Sequence, residues 1–421
     1  MSFQPGLSGL NASSKNLDVI GNNIANAGTY GAKASRAEFA DMYATAMTGG
    51  GGSNIGIGVN LAAVTQQFTQ GNITTTANSL DLAINGQGFF EVQSPDGQTL
   101  YSRNGQFQVN KEGYLQTSGG MKLLGYPADG QGNIQPGQAR PLQLPTAGID
   151  PARTTEMKIE MNLDSRVGTT LPATAPLINF NDASTYNNAT SVTVFDDKGQ
   201  DVALTYYFQK AGTDTWNVYV TANGAPVNVD GTGQPQPLTT MNFPANGGAP
   251  TAPSGPITLD IPAGTNASGA ETLAIPGIQL DLSGATQYGA TFGVTDMAQN
   301  GYAPGQLSGL SIEKNGIVMA TYSNGQSKPA GQIELATFRN TQGLKPLGGN
   351  NWARTFESGD PIVGTPGQGN LGVLQSGALE ESNVDLTAEL VNMITAQRFY
   401  QANSQTIKTQ DQVMQTLVNL R

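Results

Sequence analysis

The chain has 421 residues, a net charge of −11 and only 12% charged side chains, with 54 Gly and 23 Pro. It contains neither Cys nor His, which removes disulfides, thiolate nucleophiles, imidazole bases and the commonest zinc ligands. No stretch is basic, so neither a phosphate-neutralising nucleic-acid surface nor an anionic membrane partner is expected.

Residues 1–30 hold one Lys, one Asp and no continuous apolar run, which fits neither a secretory signal peptide nor a membrane anchor. Phe3, Leu10, Leu17 and Ile24 fall seven apart, accompanied by Leu7, Ile20 and Ala27, and predict an amphipathic helix. Gly6, Gly9 and Gly21 each cost about 1 kcal/mol relative to Ala in its interior, so this helix is marginal alone. The following run from Gly21 to Lys33, Gly-Asn-Asn-Ile-Ala-Asn-Ala-Gly-Thr-Tyr-Gly-Ala-Lys, is dense in helix-ending and turn residues. Residues 34–79 read as a flexible connector around the Gly49-to-Gly52 run, then extended chain with alternating Ile55, Ile57, Val59 and Leu61.

Leu80 to Val92 gives two strand-like runs joined at Asn85-Gly86, and Tyr101 to Val109 repeats the device around Asn104-Gly105. From about 150 to 290 Pro and Gly rise, and alternating strands near 191–195, 202–208 and 216–220 are separated by turns such as Asp197-Lys198-Gly199 and Asn223-Gly224, an inserted β-rich domain. Within it, 244–270 reads as a long surface loop. After 290 the earlier style returns, in Gly316 to Gly325 and Gln332 to Phe338. Between Ala378 and the C-terminus there is neither Gly nor Pro, and Leu386, Met393, Tyr400, Ile407 and Met414 recur every seven residues beside Leu390, Ala396, Leu417 and Val418. This predicts a second long helix from about Asp385, with a capping box in Ser382-Asn383-Val384-Asp385. Its opposite face, Thr395, Gln401, Gln405, Thr409, Gln412 and Thr416, is neutral and polar, which suits contact with other polar helices better than solvent.

Several of these segments, in this order, resemble the axial proteins of the bacterial flagellum, the family of rod, hook and hook-filament junction subunits. The resemblance rests on Asn22-Asn23-Ile24-Ala25-Asn26 leading to Thr29, Gly31 and Lys33; on the strand segments after residue 80 and their return after 290; and on Gly377 to Leu386 followed by Met393-Ile394, Gln397-Arg398, Tyr400 and Ala402-Asn403. One departure is Ala32, where family members usually carry an aromatic residue. Tyr322-Ser323-Asn324-Gly325 followed by Leu335-Ala336-Thr337-Phe338 resembles hook more than rod, and the likeness fades in the inserted domain.

Motifs for chemistry are weak beside this. Gly367-Gln368-Gly369-Asn370-Leu371-Gly372 has the spacing of a dinucleotide-binding loop, but Pro361, Gly364 and Pro366 precede it where a strand is needed and no helix can follow at once. Paired carboxylates such as Asp196-Asp197 or Glu380-Glu381 satisfy the glycosidase requirement only in number, and sit at a turn and before a helix cap. No enzyme, cofactor or metal site is expected.

The resemblance implies a multi-domain, mainly β protein whose β-rich domains are strung outward in a nested, discontinuous chain, with the N- and C-terminal helices pairing as a coiled-coil-like inner domain. Its parts are a helical domain (1–30 and 378–421), a connector (31–75 and 360–377), a first β-rich domain (76–149 and 291–359) and an inserted outer domain (150–290). It implies a structural subunit that polymerises into a curved tube acting as universal joint between rod and filament. The implied partners are other copies, rod and hook-filament junction proteins, and the hook cap and type III export apparatus during assembly. Localisation would be extracellular, reached without a cleaved signal peptide. The residues expected to carry assembly are Leu10, Leu17, Ile24, Asn22, Asn23, Asn26, Leu386, Met393, Tyr400, Ile407, Met414 and Leu417. A distal rod protein and a secreted β-rich adhesin or carbohydrate-active protein remain the alternatives.

Overall fold

The protein is described from a computed structural model, and the description covers residues 4–43, 56–145, 147–174 and 177–419. Phe3, the Gly49-to-Gly52 run and Ile55 lie outside it. The chain divides into two compact units, one made of Met1–Thr146, Gly309–Thr321 and Ser327–Arg421, the other of Ala147–Ser308 and Tyr322–Gln326.

In the first unit, helix α1 (Gln4–Ala25) and helix α2 (Leu386–Asn419) pack together. The cap of α2 is Asp385, whose Oδ1 accepts from the backbone N–H of Thr387 (2.8 Å) and Ala388 (3.1 Å). Ser382 does not take that role. Asn383 is tied elsewhere, accepting from Ala34 N–H (2.7 Å) and donating to the Gln67 carbonyl (2.7 Å).

Residues 34–79 are not simply connector and extended chain: β1 (Ser35–Tyr43) and β2 (Gly56–Gln66) form an antiparallel hairpin with two register shifts. The hairpin lies against α1. Gly58, at φ +135°, is where β2 passes Ser8, whose hydroxyl accepts from Val59 N–H. A Cβ there would fall 2.0 Å from that hydroxyl, so only glycine fits.

Two short ladders then pair the outgoing chain with the returning one: Ile73–Thr75 with Ala378–Glu380, and Leu82–Asn85 with Val373–Ser376. The Asn85-Gly86 and Asn104-Gly105 pairs therefore do not close hairpins as the sequence suggests. Leu82–Asn85 and Phe89–Gln93 lie in different ladders, as do Thr99–Ser102 and Phe107–Val109. These glycines instead admit a foreign backbone, since a Cβ on Gly105 would stand 1.6 Å from the Leu82 carbonyl oxygen and one on Gly86 2.9 Å from Gly372 Cα.

The main sheet interleaves both halves of the chain and includes, in order, Ile317–Tyr322, Ser327–Ile333, Lys122–Pro127, Phe89–Gln93, Thr99–Ser102, Asn351–Ala353 and Lys345–Gly348. Its aromatic core joins Phe68, Phe89, Tyr101, Phe338 and Trp352 in edge-to-face contacts, with centroids 4.7 Å apart for Tyr101–Phe338 and 5.4 Å for Phe68–Trp352.

The second unit holds a four-stranded sheet, ordered Ile257–Ile261, Ile275–Asp281, Glu156–Asn162, Gly293–Gln299, and a five-stranded one built around Asp201–Gly212 and Thr215–Ala222. Val202, Leu204, Tyr206 and Phe208 alternate inward and meet Ile159, Met161, Leu259, Ile278 and Leu280 of the other sheet around Trp216. The 244–270 region is thus not all loop, because Leu259 and Ile261 are buried in a strand. Chain entry and exit are adjacent, with Ile149 N–H donating to the Gly305 carbonyl at 2.8 Å. Asp196 is wholly structural: its carboxylate accepts from the N–H groups of Lys198, Gln200 and Leu273 (2.8, 2.8 and 2.7 Å). The Gly367–Gly372 run is a turn closed by Gly367 N–H to the Gly372 carbonyl, with no helix opening in it.

Candidate assembly surface

Helices α1 and α2 run antiparallel. Asn23 donates to Glu389 at 3.3 Å, and fourteen residues earlier in α1, Gly9 faces Asn403, fourteen residues later in α2. Gly6 then faces Ile407. The approach is close because two of the contacting residues lack a side chain, and a Cβ on Gly9 would lie 2.8 Å from the Asn403 amide. The inward rows are Gly6, Gly9, Ser13, Ile20 and Asn23 on α1, and Glu389, Met393, Ala396, Asn403 and Ile407 on α2.

Of the residues expected to carry assembly, Leu10, Leu17 and Ile24 are half-buried, as are Met393 and Ile407, while Leu386, Tyr400 and Met414 are exposed. Leu417 lies in α2, but its side chain is outside the description. Asn23 is buried and exchanges two hydrogen bonds with the Ser35 backbone, 2.8 Å each way, so it staples α1 to the hairpin as well as to α2. Asn22 is exposed, and Asn26 donates back to the Asn22 carbonyl (2.9 Å) as part of the end of α1. Sequence reasoning placed Ile20 and Ala396 beside the seam but missed Gly6, Gly9, Ser13, Glu389 and Asn403 as contact residues. Gly6 and Ser13 share the seven-residue spacing of Ile20, and Glu389 and Asn403 that of Ala396, but as small or polar types that an apolar template discards.

Below the helices sits a buried ionic hub. Glu380 binds Lys33 Nζ through one oxygen (2.6 Å) and Arg103 Nη1 through the other (3.0 Å), with all three side chains at most 6% exposed. Lys33 also donates to the Thr69 carbonyl and Arg103 to the Gly86 carbonyl, and the Gly71 N–H donates to Glu380. Burial pulls the Lys33 ammonium below its ordinary range, and the charge of Glu380 opposes that pull. Three chain segments remote in sequence are clamped where helices meet sheet: the N-terminal turn, the first β segment and the returning strand.

The outward side of α2 is unusual. Leu390, Val391, Ile394, Phe399, Val413 and Val418 are exposed. The hydroxyls of Thr395, Thr409 and Thr416 donate to their own helix carbonyls four residues back, so this face presents methyl groups and amides. A surface with this much apolar area is built for contact.

Sequence relatives match over the whole length. The chain is 44% identical to the flagellar hook protein FlgE of Escherichia coli K12, covering 100% of both chains. The chain belongs to the flagellar hook protein family. The hook protein of Salmonella typhimurium matches at 43% and that of Brucella suis at 34%, each over 100% of this chain and 100% and 98% of the relative. Family models match in chain order: flagella basal body rod protein (3–33), flagellar hook protein FlgE/F/G D1 domain (83–197), flagellar basal body protein FlaE D2 domain (162–302) and flagellar basal body rod FlgEFG protein C-terminal (375–420). A crystal structure of Helicobacter pylori flagellar hook protein FlgE2 aligns with TM-score 0.51 at 16% identity, covering 73% of this chain and 100% of that one, a likeness of fold. Hook-family membership over the full chain disfavours the rod, adhesin and carbohydrate-active alternatives.

Proposed function

We propose that the protein is a non-enzymatic hook subunit that polymerises head-to-tail into a curved tube and passes motor torque from rod to filament as a universal joint. The observation that carries this reading is the pair of terminal helices, which belong to a hook-family chain and leave large apolar side chains uncovered in the single subunit. Heterologous contacts that do not close on themselves generate helical polymers. In such a polymer Leu386, Leu390 and Ile394 are covered by neighbouring subunits, and Leu10, Leu17, Ile24, Tyr400, Met414 and Leu417 line the inner wall with Met393 and Ile407. Asn22, Asn23 and Asn26 hold the turn that leads from α1 into the hairpin. Rod and junction proteins meet its two ends, the export apparatus delivers the subunit out of the cell without signal cleavage, and the hook cap attends its assembly there.

Ile407→Asp tests this by placing a charge where Gly6 and Ile407 meet. The expected result is a folded β protein by circular dichroism that forms no tubes under negative stain. Normal tubes from the variant would remove the helix pair from the assembly mechanism.

A further inference from the structure

The first unit carries a second contact device remote in sequence from the terminal helices. Phe356 is fully exposed, at the tip of a turn spanning residues 355–359. That turn is braced from within and from below. Ser358 Oγ accepts from Thr355 N–H (2.9 Å), Thr355 Oγ1 donates to the Gly343 carbonyl (2.6 Å), and Asn340 donates to the Glu357 carbonyl (3.1 Å). A Cβ on Gly343 would lie 2.5 Å from Ser358 N, so the support is packed backbone to backbone. The ring is therefore held out in water by a rigid base, at a solvation cost that a loose loop would avoid by folding it back.

Immediately after it, Ile362 and Val363 are both about half exposed on the strand Ile362–Gly364, which pairs only with Leu335–Thr337 among the described residues. That strand is three residues long and follows Pro361, features that blunt an edge against backbone pairing, so contact here is made by side chains. The charges at the base, Arg354 and Asp360, neutralise each other at 2.6 Å. Because the knob and its base are neutral, it can approach another copy of this chain, net charge −11, without the like-charge repulsion that an acidic surface would meet. The same unit offers a concave counterpart, a cavity of about 510 Å³ lined by Ile312, Val373 and Leu374 with Asn85, Lys314 and Gln375.

We propose that Phe356 is a knob that enters the Val373 cavity of a second copy, a head-to-tail contact between β bodies that supplements the helices. This rests on the polymer reading above. Exposed aromatic anchors of this kind dominate the contacts they make.

The test compares wild type, Phe356→Ala and Phe356→Tyr in vitro, with circular dichroism as fold control and sedimentation of tubes as readout. Phe356→Ala is expected to raise the critical concentration for polymer at least tenfold, and Phe356→Tyr to restore it. Photo-crosslinking from p-benzoylphenylalanine at position 356 in assembled tubes is expected to give dimers joined to residues 312–314 or 373–376. If wild type forms no tubes, the polymer reading itself fails. If wild type forms tubes and Phe356→Ala matches it, or if adducts map away from the cavity, this inference fails and the polymer reading stands.

Discussion

Glu91 and Glu334 form a buried acid pair in the first unit, with the Tyr126 hydroxyl donating to Glu334 at 2.6 Å. Burial, then the neighbouring charge of Glu334, pushes the Glu91 carboxyl up to about 7, and burial also raises Glu334. The folded state thus holds a proton that the unfolded chain releases near its ordinary value of 4.5. The associated stability is complete below that value and is lost as pH rises through 7. Glu91→Gln keeps a donor toward Glu334 without titrating, so its melting temperature should equal wild type at pH 5 and exceed it at pH 8, by roughly 1–3 kcal/mol in stability. An equal fall between pH 5 and pH 8 in both proteins would show that the pair does not titrate in this way. The ionic hub behaves oppositely to a surface pair. Glu380→Gln leaves Lys33 and Arg103 buried without a carboxylate and is expected to cost about 3–5 kcal/mol by urea unfolding, whereas Arg153→Ala, which removes an exposed pair with Asp197 at 3.9 Å, should cost at most about 1 kcal/mol.

The helices divide their glycines by use. A Cβ on Gly21 meets nothing within 4 Å, while Gly9 and Gly6 admit Asn403 and Ile407. Gly21→Ala is therefore expected to stabilise the protein by up to about 1 kcal/mol through helix propensity, and Gly9→Leu to part the helices and lower the 222 nm signal. A destabilising Gly21→Ala would mean that this glycine serves a contact not seen in the single chain. The same contrast shows what sequence makes visible at this scale. Heptad spacing in Met393, Tyr400 and Ile407 announced a helix and a seam because large apolar groups dominate a period count. Glu389 and Asn403, which also meet α1, were silent because contact made by polar side chains against glycine and asparagine has no hydropathic signature. The Asn-Gly pairs misled for a related reason: glycine that admits a crossing backbone looks the same as glycine that permits a tight turn, and only the remote partner, Leu82 for Gly105 and Gly372 for Gly86, distinguishes them.

In the molecule as a whole, the second unit has its own core and touches ends at the Ile149–Gly305 bridge. Replacing residues 150–304 with a short glycine linker should leave the first unit able to fold, and 147–308 alone should melt cooperatively as a β protein. An excised first unit without helical signal would show that its core depends on the insertion. Nesting was legible in the sequence, since strands of similar style stand on both sides of a Pro- and Gly-rich middle. The hub was not, because nothing in the local sequence around Lys33, Arg103 or Glu380 pairs one with another and only the return of the chain brings them together.

That return sets an order of events. Lys33 and Glu380 are 347 residues apart in sequence, so their bond, and the strand pairing beside it, wait on closure of a very long loop. The second unit needs no such closure, because its strands find partners within about 160 residues, and once folded it holds its own ends together. Its folding shortens the effective loop by more than a third, which lowers closure entropy by only about half a kcal/mol. The hub and the α1–α2 contact, whose Asn23 and Glu389 stand 366 residues apart, share this long closure, and a chain lacking both is one whose middle is folded while its two arms are still free.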